Sequence, residues 1–181
     1  MKKVTILLAL LALAVFSCQK DPIGKTETVD LAGQWYLIYN VVDANGDILP
    51  GGEDFFDMGY SLGLTFNTAA NDKDSIWVSD LTNLLGFQVK VPCDLAKLTF
   101  GSEDPFPNID MDGAQGDGDI GATAIIKNGK ILKGAATTPS GMPADSIFFE
   151  VILDSDAYAA YYGYDHYQAV GYRYTGFAAD E

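Results

Sequence analysis

Few side chains in this 181-residue chain are of a type that could perform acid–base or nucleophilic chemistry. The one histidine, His166, follows Asp165 in the tyrosine-rich segment "YYGYDHYQ". Nucleophilic catalysis requires a hydroxyl or thiol beside an oriented base, and the chain lacks a Gly-x-Ser-x-Gly nucleophile elbow. Adjacency in sequence does not establish a triad. We therefore interpret His166 as a surface histidine and assign no catalytic residue.

Four aspartates in "IDMDGAQGDGDIG" could supply the oxygen ligands that calcium takes. Asp110, Asp112, Asp117 and Asp119 do not follow the EF-hand spacing. Asp and Gly are also ordinary turn residues, which favours a solvated loop over a calcium site and leaves the question open. The Cys/His set of a zinc site is missing from the sequence. We expect neither a metal nor a cofactor.

The N-terminus has the pattern of an export signal. Two lysines precede an apolar run over residues 4–16, which is shorter than the roughly 20 residues that span a bilayer. The following "VFSC" resembles a lipobox, in which a signal peptidase cuts before a cysteine that is then acylated. An ordinary signal peptide is the alternative. The pattern predicts a protein anchored to the outer membrane, facing the periplasm or the cell surface, in three segments: a lipoprotein signal peptide at 1–17, a tether at 18–29 lipidated on Cys18, and one folded domain at 30–181.

Charge and cysteine content restrict the partners and the fold. The net charge is −14 and becomes more negative by two when the signal lysines are removed, so nucleic acid and anionic surfaces would be repelled. Acylation of Cys18 would leave Cys93 without a disulfide partner. We interpret Cys93 as a small buried hydrophobic residue at a strand end. We expect a monomer whose fold is stabilised by its hydrophobic core without a disulfide.

Alternating apolar residues predict strands in several segments. The pattern is clear in "YSLGLTF", "GFQVKV" and "IFFEVIL". Asn-Gly pairs in "DANGD" and "IIKNGKIL" are strong hairpin signals, and the second predicts that 120–127 pairs with 130–137. One short helix is predicted near 154–163, with Asp154 or Ser155 as its cap and Gly163 at its end.

These elements predict an all-β fold with about eight short antiparallel strands and one short helix near the C-terminus. Such a pattern is typical of a sandwich or an up-and-down barrel. An eight-stranded barrel is just wide enough to be filled by its own side chains or to enclose one small ligand. If a ligand pocket exists, we expect ten inward residues to line it: Tyr60, Leu62, Leu64, Phe66, Phe87, Val89, Leu98, Phe100, Phe149 and Val151.

The first and last strands carry a pair that could close one end of such a barrel. Trp35 follows Gly33 on the first strand, and Arg173, the only arginine, lies on the last. These strands are neighbours in a closed barrel, so a guanidinium could stack on the indole with a gain of about 0.5–2 kcal/mol. We expect Trp35 and Arg173 to plug the barrel rather than to contact a ligand.

Gly-x-Trp on the first strand with a basic residue on the last resembles the calycin pattern of lipocalins and fatty-acid-binding proteins. From "DLAGQWYL" through "SIWVSDL" and "FQVKVPCDLAKLTF" to "GYRYTGF", the chain resembles a family of Bacteroidetes lipoproteins described as lipid-binding putative hydrolases. The resemblance implies a lipocalin-like barrel and a hydrophobic ligand. No motif here carries the hydrolase part of that description.

Seven of the ten tyrosines lie between Tyr158 and Tyr174. Tyrosine suits a half-wet pocket mouth, but such a group could also stack on sugars or pack the helix onto the barrel. We expect the barrel to bind a hydrophobic or amphipathic, lipid-like molecule without catalysis. The alternatives are a glycan-binding or interaction protein at the surface, and a hydrolase in which His166 would lie in a cleft against a hydroxyl or an acid.

Overall fold

A computed structural model describes residues 25–109 and 122–180 of the chain. Strands dominate it, and helix is confined to two short pieces near the C-terminus. None of the helices in these residues is long and apolar enough to cross a membrane. The elements are β1 (Gly33–Val42), β2 (Ser61–Asn67), β3 (Ser75–Ser79), β4 (Gln88–Asp94), β5 (Thr99–Phe100), β6 (Phe106–Pro107), β7 (Thr123–Thr137), β8 (Pro143–Leu153), α1 (Ala157–Tyr162), β9 (His166–Arg173) and a 3₁₀ turn (Ala178–Asp180).

The strands form a closed antiparallel barrel. Neighbours in sequence pair from β1 to β5 and from β7 to β9, β9 pairs with β1, and β5 pairs with β7 to complete the circle. The two-residue β6 is an extra strand on the edge of β7. The prediction of an up-and-down barrel of about eight strands is therefore confirmed, and closure leaves no long sheet edge exposed.

Alternate side chains of the strands meet inside the barrel. The predicted inner faces of β4 and β8 are confirmed, since their apolar residues are all buried. The interior is one continuous cluster that includes Trp35, Leu37, Tyr39, Val41, Ile76, Val78, Phe87, Val89, Val91, Phe100, Ala124, Ile126, Ile131, Ile147, Phe149, Val151, Leu153, Tyr167 and Ala169.

One of the two predicted hairpins is wrong. The turn at Asp43–Asp47 exists, with the Gly46 N–H donating to the Asp43 carbonyl at 2.9 Å. Asn128 and Gly129 instead lie within the continuous strand β7, where the pairing with β8 shifts at a bulge. Asn128 has a φ of 54°, and asparagine tolerates this conformation in a bulge as readily as in a turn. Gly129 pairs with Phe100 of β5, so the bulge lies where the barrel closes.

The short helix α1 lies inside the predicted segment. It ends at Gly163, whose φ of 77° is the left-handed conformation that glycine adopts without strain. Its cap is Asp156 rather than Asp154 or Ser155, because the Asp156 carboxylate accepts from the N–H groups of Tyr158 and Ala159. A carboxylate at this position satisfies the free N–H groups of the first turn.

The barrel has two different ends. One end contains Trp35 and is here called the Trp35 end. At this end lie residues 25–32, the connections 68–74, 95–98 and 138–142, and the C-terminal residues. The long connections 43–60, 80–87 and 154–165 lie at the other, here called the loop end. Loops positioned by a rigid barrel commonly carry binding residues.

Candidate functional site

The Trp35 end is closed by side chains of the first and last strands. Trp35 pairs with Arg173 across β1 and β9, and the guanidinium carbon lies 4.4 Å from the centroid of the indole ring. The indole N–H donates to the Thr65 hydroxyl at 2.8 Å, and that hydroxyl donates to the Leu31 carbonyl at 2.5 Å. A Cβ at Gly33 would collide with the guanidinium, which explains the glycine two residues before the tryptophan.

The guanidinium of Arg173 is held from its far side by Asp145. Arg173 Nε lies 3.1 Å from Asp145 Oδ2, and Lys133 Nζ lies 3.2 Å from the same oxygen. Partial burial alone would raise the pKa of the Asp145 carboxyl. The N–H of Gly134 and the two cations outweigh burial and hold this pKa below its usual value. Asp145 therefore stays charged and fixes the arginine over the indole.

The β2 residues expected to line a pocket lie on the opposite face from that predicted. Gly63 and Thr65 share the interior face with Trp35, whereas Leu62 and Leu64 pair with Tyr36 and Gln34 on the outer face. The large Trp35 and Leu37 side chains fill the interior beside β2, so the residues facing them must be small. The assignment of Tyr60, Leu62, Leu64 and Phe66 to the interior is wrong for this reason. Phe66 stacks on Trp77 on the outer wall, with centroids 6.2 Å apart, and Tyr60 is exposed.

The six other predicted lining residues do face inward or pack against the interior. Five of them are buried in the continuous core: Phe87, Val89, Phe100, Phe149 and Val151. The sixth, Leu98, packs on this core from the β4–β5 connection. These side chains contact one another, as in the T-shaped contact of Phe87 with Phe149. The middle of the barrel is thus a packed core, and a ligand site has to lie at one of its ends or on its wall.

A small cavity lies at the loop end, beneath the connection between β1 and β2. Its volume is about 130 Å³. Phe56 forms its outer wall, because the Phe56 ring stacks on Tyr167 with centroids 5.9 Å apart. The neighbouring Phe55 contacts Tyr162 and Tyr164 of the 154–165 connection, with both centroid distances 5.3 Å. The cavity is lined by Phe56, Leu84, Leu85, Leu153, Asp156, Tyr158 and Tyr167.

Two polar residues of the cavity wall, Asp156 and Tyr167, are connected by hydrogen bonds through Tyr164, which lies behind the wall. The Tyr164 hydroxyl donates to Asp156 Oδ2 at 3.0 Å and is hydrogen-bonded to the hydroxyl of Tyr167. Burial raises the pKa of both tyrosine hydroxyls well above the usual value, so both stay protonated and neutral. The only charge on the lining is the Asp156 carboxylate.

The 80–87 connection, which supplies Leu84 and Leu85, is organised by one buried carboxylate. Asp80 is completely buried and accepts five backbone N–H groups, those of Thr82, Leu84, Leu85, Gly86 and Phe87, at distances between 2.6 and 3.2 Å. Nearby, the Tyr39 hydroxyl is buried without a hydrogen-bond partner. Burial, together with the charge of Asp80, raises the pKa of Tyr39.

The rim of the loop end exposes large apolar side chains. Tyr161 has 82 % of its surface exposed, and Met58, Tyr158 and Tyr162 are also exposed. Tyr158 and Tyr162 stack nearly parallel at 6.4 Å between centroids. The tyrosine-rich segment therefore divides into two groups: the α1 tyrosines face solvent, whereas Tyr164, Tyr167 and Tyr172 are buried.

His166 is not a surface residue, so that interpretation is wrong. Only 3 % of its surface is exposed. Its Nδ1 lies 2.7 Å from Asp165 Oδ2, and its Nε2 lies 3.6 Å from Glu150 Oε2 without a hydrogen-bond partner. His166 is buried because of its position in the barrel wall. It is the first residue of β9 and pairs with Val42 of β1, and Glu150 lies on the neighbouring strand β8.

A wider depression of about 740 Å³ opens on the barrel wall at the bulge of β7. Its wall includes Asp94, Asn128, Lys130 and Glu150. Lys130 covers the ring of Phe148 at 4.6 Å. This polar, open surface lacks the apolar enclosure of a typical small-molecule site, which makes the loop-end cavity the better candidate.

Some residues of the candidate site were not predicted from the sequence, and some predicted residues lie outside the described part of the chain. Phe56, Asp80 and Asp156 gave no signal, because loop residues without periodicity cannot be assigned to a cavity from sequence. Cys18 and the calcium candidates, Asp110, Asp112, Asp117 and Asp119, lie outside the described residues. Cys93 is half-buried, and burial, with the charges of Asp74 and Asp94, raises the pKa of its thiol.

The closed eight-stranded meander, with Trp35 and Arg173 at one end and a small cavity at the other, defines a lipocalin-like barrel. A family described as "Lipid-binding putative hydrolase" matches residues 20–178, nearly the whole chain, and the chain belongs to this family. The resemblance noted from the sequence is thus confirmed at the level of the family. None of the curated proteins matches the chain.

Proposed function

We propose that this protein is a monomeric cell-envelope lipoprotein, anchored through Cys18, that binds a hydrophobic or amphipathic small molecule at the loop end of its barrel. The observation that carries the proposal is the largely apolar cavity beside Phe56, next to the exposed tyrosines of α1. A partly enclosed space lined mainly by apolar side chains, next to exposed apolar side chains, is typical of a site that is completed by a ligand. Membership of a lipid-binding family supports the ligand class.

The size of the cavity indicates how a ligand would fit. Small-molecule pockets usually measure about 300–1,000 Å³, and this one measures about 130 Å³. Only part of an amphiphile can therefore enter, and the remainder lies over the exposed rim. Outward movement of the 43–60 connection would enlarge the site, because the Phe56 ring is the wall on that side.

The proposed anchor gives the barrel a direction. Residues 25–32 approach β1 at the Trp35 end, where Leu31 is buried. A tether from Cys18 would thus be attached at the closed end of the barrel, and the loop end would point away from that attachment. The ligand would then be exchanged with the surrounding envelope space rather than directly with the anchoring leaflet.

One observation supports each of the two alternative functions. The parallel Tyr158–Tyr162 pair on the exposed face of α1 could stack on sugar rings, which favours glycan binding. His166 lies beside Glu150 and Asp165, and an acid that orients a histidine is one part of a hydrolase site. Its Nε2 has no hydroxyl partner among the described residues, so we assign no catalytic residue.

Mass spectrometry of the full chain purified from the cell envelope tests both halves of the proposal. Under native conditions we expect an added mass of one lipid-like molecule that is lost on denaturation, because the ligand is held non-covalently. The denatured protein should begin at Cys18 and retain covalently attached acyl chains.

A Phe56→Ser variant should lose the non-covalent mass, whereas Phe66→Ser on the outer wall should keep it. A ligand-free wild-type protein that takes up neither a fatty alcohol nor a glycan would refute the binding function, and a glycan adduct would favour the alternative.

A further inference from the structure

The loop end of the barrel is negatively charged without compensation. The described connections 43–60, 80–87 and 154–165 contain nine Asp or Glu and no Lys or Arg. The ion pairs of lysine and arginine in the described residues lie outside these connections. Arg173 and Lys133 bind Asp145, and Lys97 binds Asp94, at the Trp35 end. Lys127 on the barrel wall lies between Glu103 and Glu150. A cleft lined by one sign of charge attracts the opposite charge and repels its own.

The cavity itself combines aromatic walls with one carboxylate. Phe56, Tyr158 and Tyr167 are on its lining, and Asp156 is its only charged group. The carboxylate cannot turn away, because the N–H groups of Tyr158 and Ala159 hold Oδ1 at 2.9 and 3.3 Å and the Tyr164 hydroxyl holds Oδ2 at 3.0 Å. Aromatic faces beside a fixed anion form the environment in which ammonium groups, quaternary ones above all, are bound.

The volume of the cavity is sufficient for a compact head group or for a short piece of alkyl chain. At about 30 Å³ for each water in the liquid, a volume of about 130 Å³ corresponds to roughly four water-sized groups. A trimethylammonium group has one nitrogen and three methyl carbons. Its alkyl chain would leave the cavity over the stacked and exposed rings of Tyr158 and Tyr162.

We propose that the ligand of this site is a cationic amphiphile, a long-chain alkylammonium compound whose head group lies in the cavity against Asp156 and whose chain covers the exposed rim. This inference rests on the proposed function and adds the chemistry of the ligand. The described loop-end connections hold no Lys or Arg to pair with the carboxylate of a fatty-acid anion, so such an anion should bind more weakly than the ammonium compound.

The test compares three amphiphiles that share a decyl chain and differ in charge: decyltrimethylammonium, decanol and decanoate. Isothermal titration calorimetry of the full chain, below the micelle concentration, should give a dissociation constant for decyltrimethylammonium at least about tenfold lower than for decanoate, with decanol between them. Asp156→Asn should reduce this preference to about threefold or less. Asparagine caps helices as well as aspartate, so α1 remains formed. The matched control Asp74→Asn removes an exposed acid at the Trp35 end and should leave the preference unchanged.

Each other outcome has a distinct meaning. Equal or tighter binding of decanoate overturns the charge preference and leaves lipid binding intact. A preference for the ammonium compound that persists in Asp156→Asn overturns the placement of the head group. If none of the three compounds binds, the proposed function itself fails, and this inference fails with it.

Discussion

Replacing Trp35 with alanine should lower the free energy of unfolding by about 3–5 kcal/mol. The indole is almost completely buried, its N–H is hydrogen-bonded to Thr65, and its face is covered by Arg173. Truncation leaves a cavity between β1 and β2 that cannot collapse, because Gly63 and Thr65 on the facing strand are small. It also leaves the Thr65 hydroxyl and the Arg173 guanidinium with one partner fewer.

Urea denaturation measures this loss, and the second tryptophan supplies a matched control. Trp77 lies half-buried on the outer wall, stacked on Phe66, so Trp77→Ala should cost only about 1–2 kcal/mol. Trp35→Phe should give an intermediate loss, because the ring is kept and the hydrogen bond is not. Equal losses for the two alanine variants would contradict the role of Trp35 as the plug of the barrel.

Replacing Asp80 with alanine should cost at least about 3 kcal/mol, since five buried backbone N–H groups would lose their common acceptor. The carboxylate also accepts the N–H of Thr82, which follows Leu81 in a turn where both residues have φ values near 60°, 58° for Leu81 and 59° for Thr82, a conformation that non-glycine residues seldom adopt. Without it, the 80–87 connection would relax and withdraw Leu84 and Leu85 from the loop-end cavity. Stability and ligand binding should therefore fall together.

Urea denaturation and backbone hydrogen exchange check this prediction. The amides of residues 84–87 should lose protection in Asp80→Ala, while those of the Trp35 end keep theirs. Asp80→Asn should be intermediate, because one amide oxygen cannot replace the two carboxylate oxygens. Asp74→Ala, at an exposed acid, should change stability by less than about 0.5 kcal/mol. An Asp80→Ala protein as stable as the wild type would show that water replaces the carboxylate at little cost.

The alternation of apolar residues was sufficient to predict most of the strands, because a half-buried strand imposes a period of two, but it did not show that β7 is one continuous strand. The juxtaposition of the first and last strands followed from closure alone. The inner face of β2 was not predictable by the same reasoning, since glycine and threonine resemble an outward face unless one knows that Trp35 and Leu37 occupy the space opposite.

The cavity was beyond prediction for a different reason. Its wall combines Phe56, Leu84, Asp156 and Tyr167, residues from separate connections that meet only after the barrel closes. The bulge at Asn128 shows the same limit, because an Asn-Gly pair has the same local preference in a turn and in a bulge, and the pairing partner β5 decides between them. The burial of His166 likewise depends on its position beside Glu150.

Photo-crosslinking with a decyl alcohol that carries a diazirine on its chain tests most directly whether the loop end is the ligand site. The neutral head group makes the result independent of the charge preference proposed above. After irradiation and proteolysis, we expect modified residues within 53–58, 81–87 and 153–167, with labelling suppressed by unlabelled decanol. Saturable labelling confined to the Trp35 end or to the outer wall near Phe66 would contradict a ligand site at the loop end.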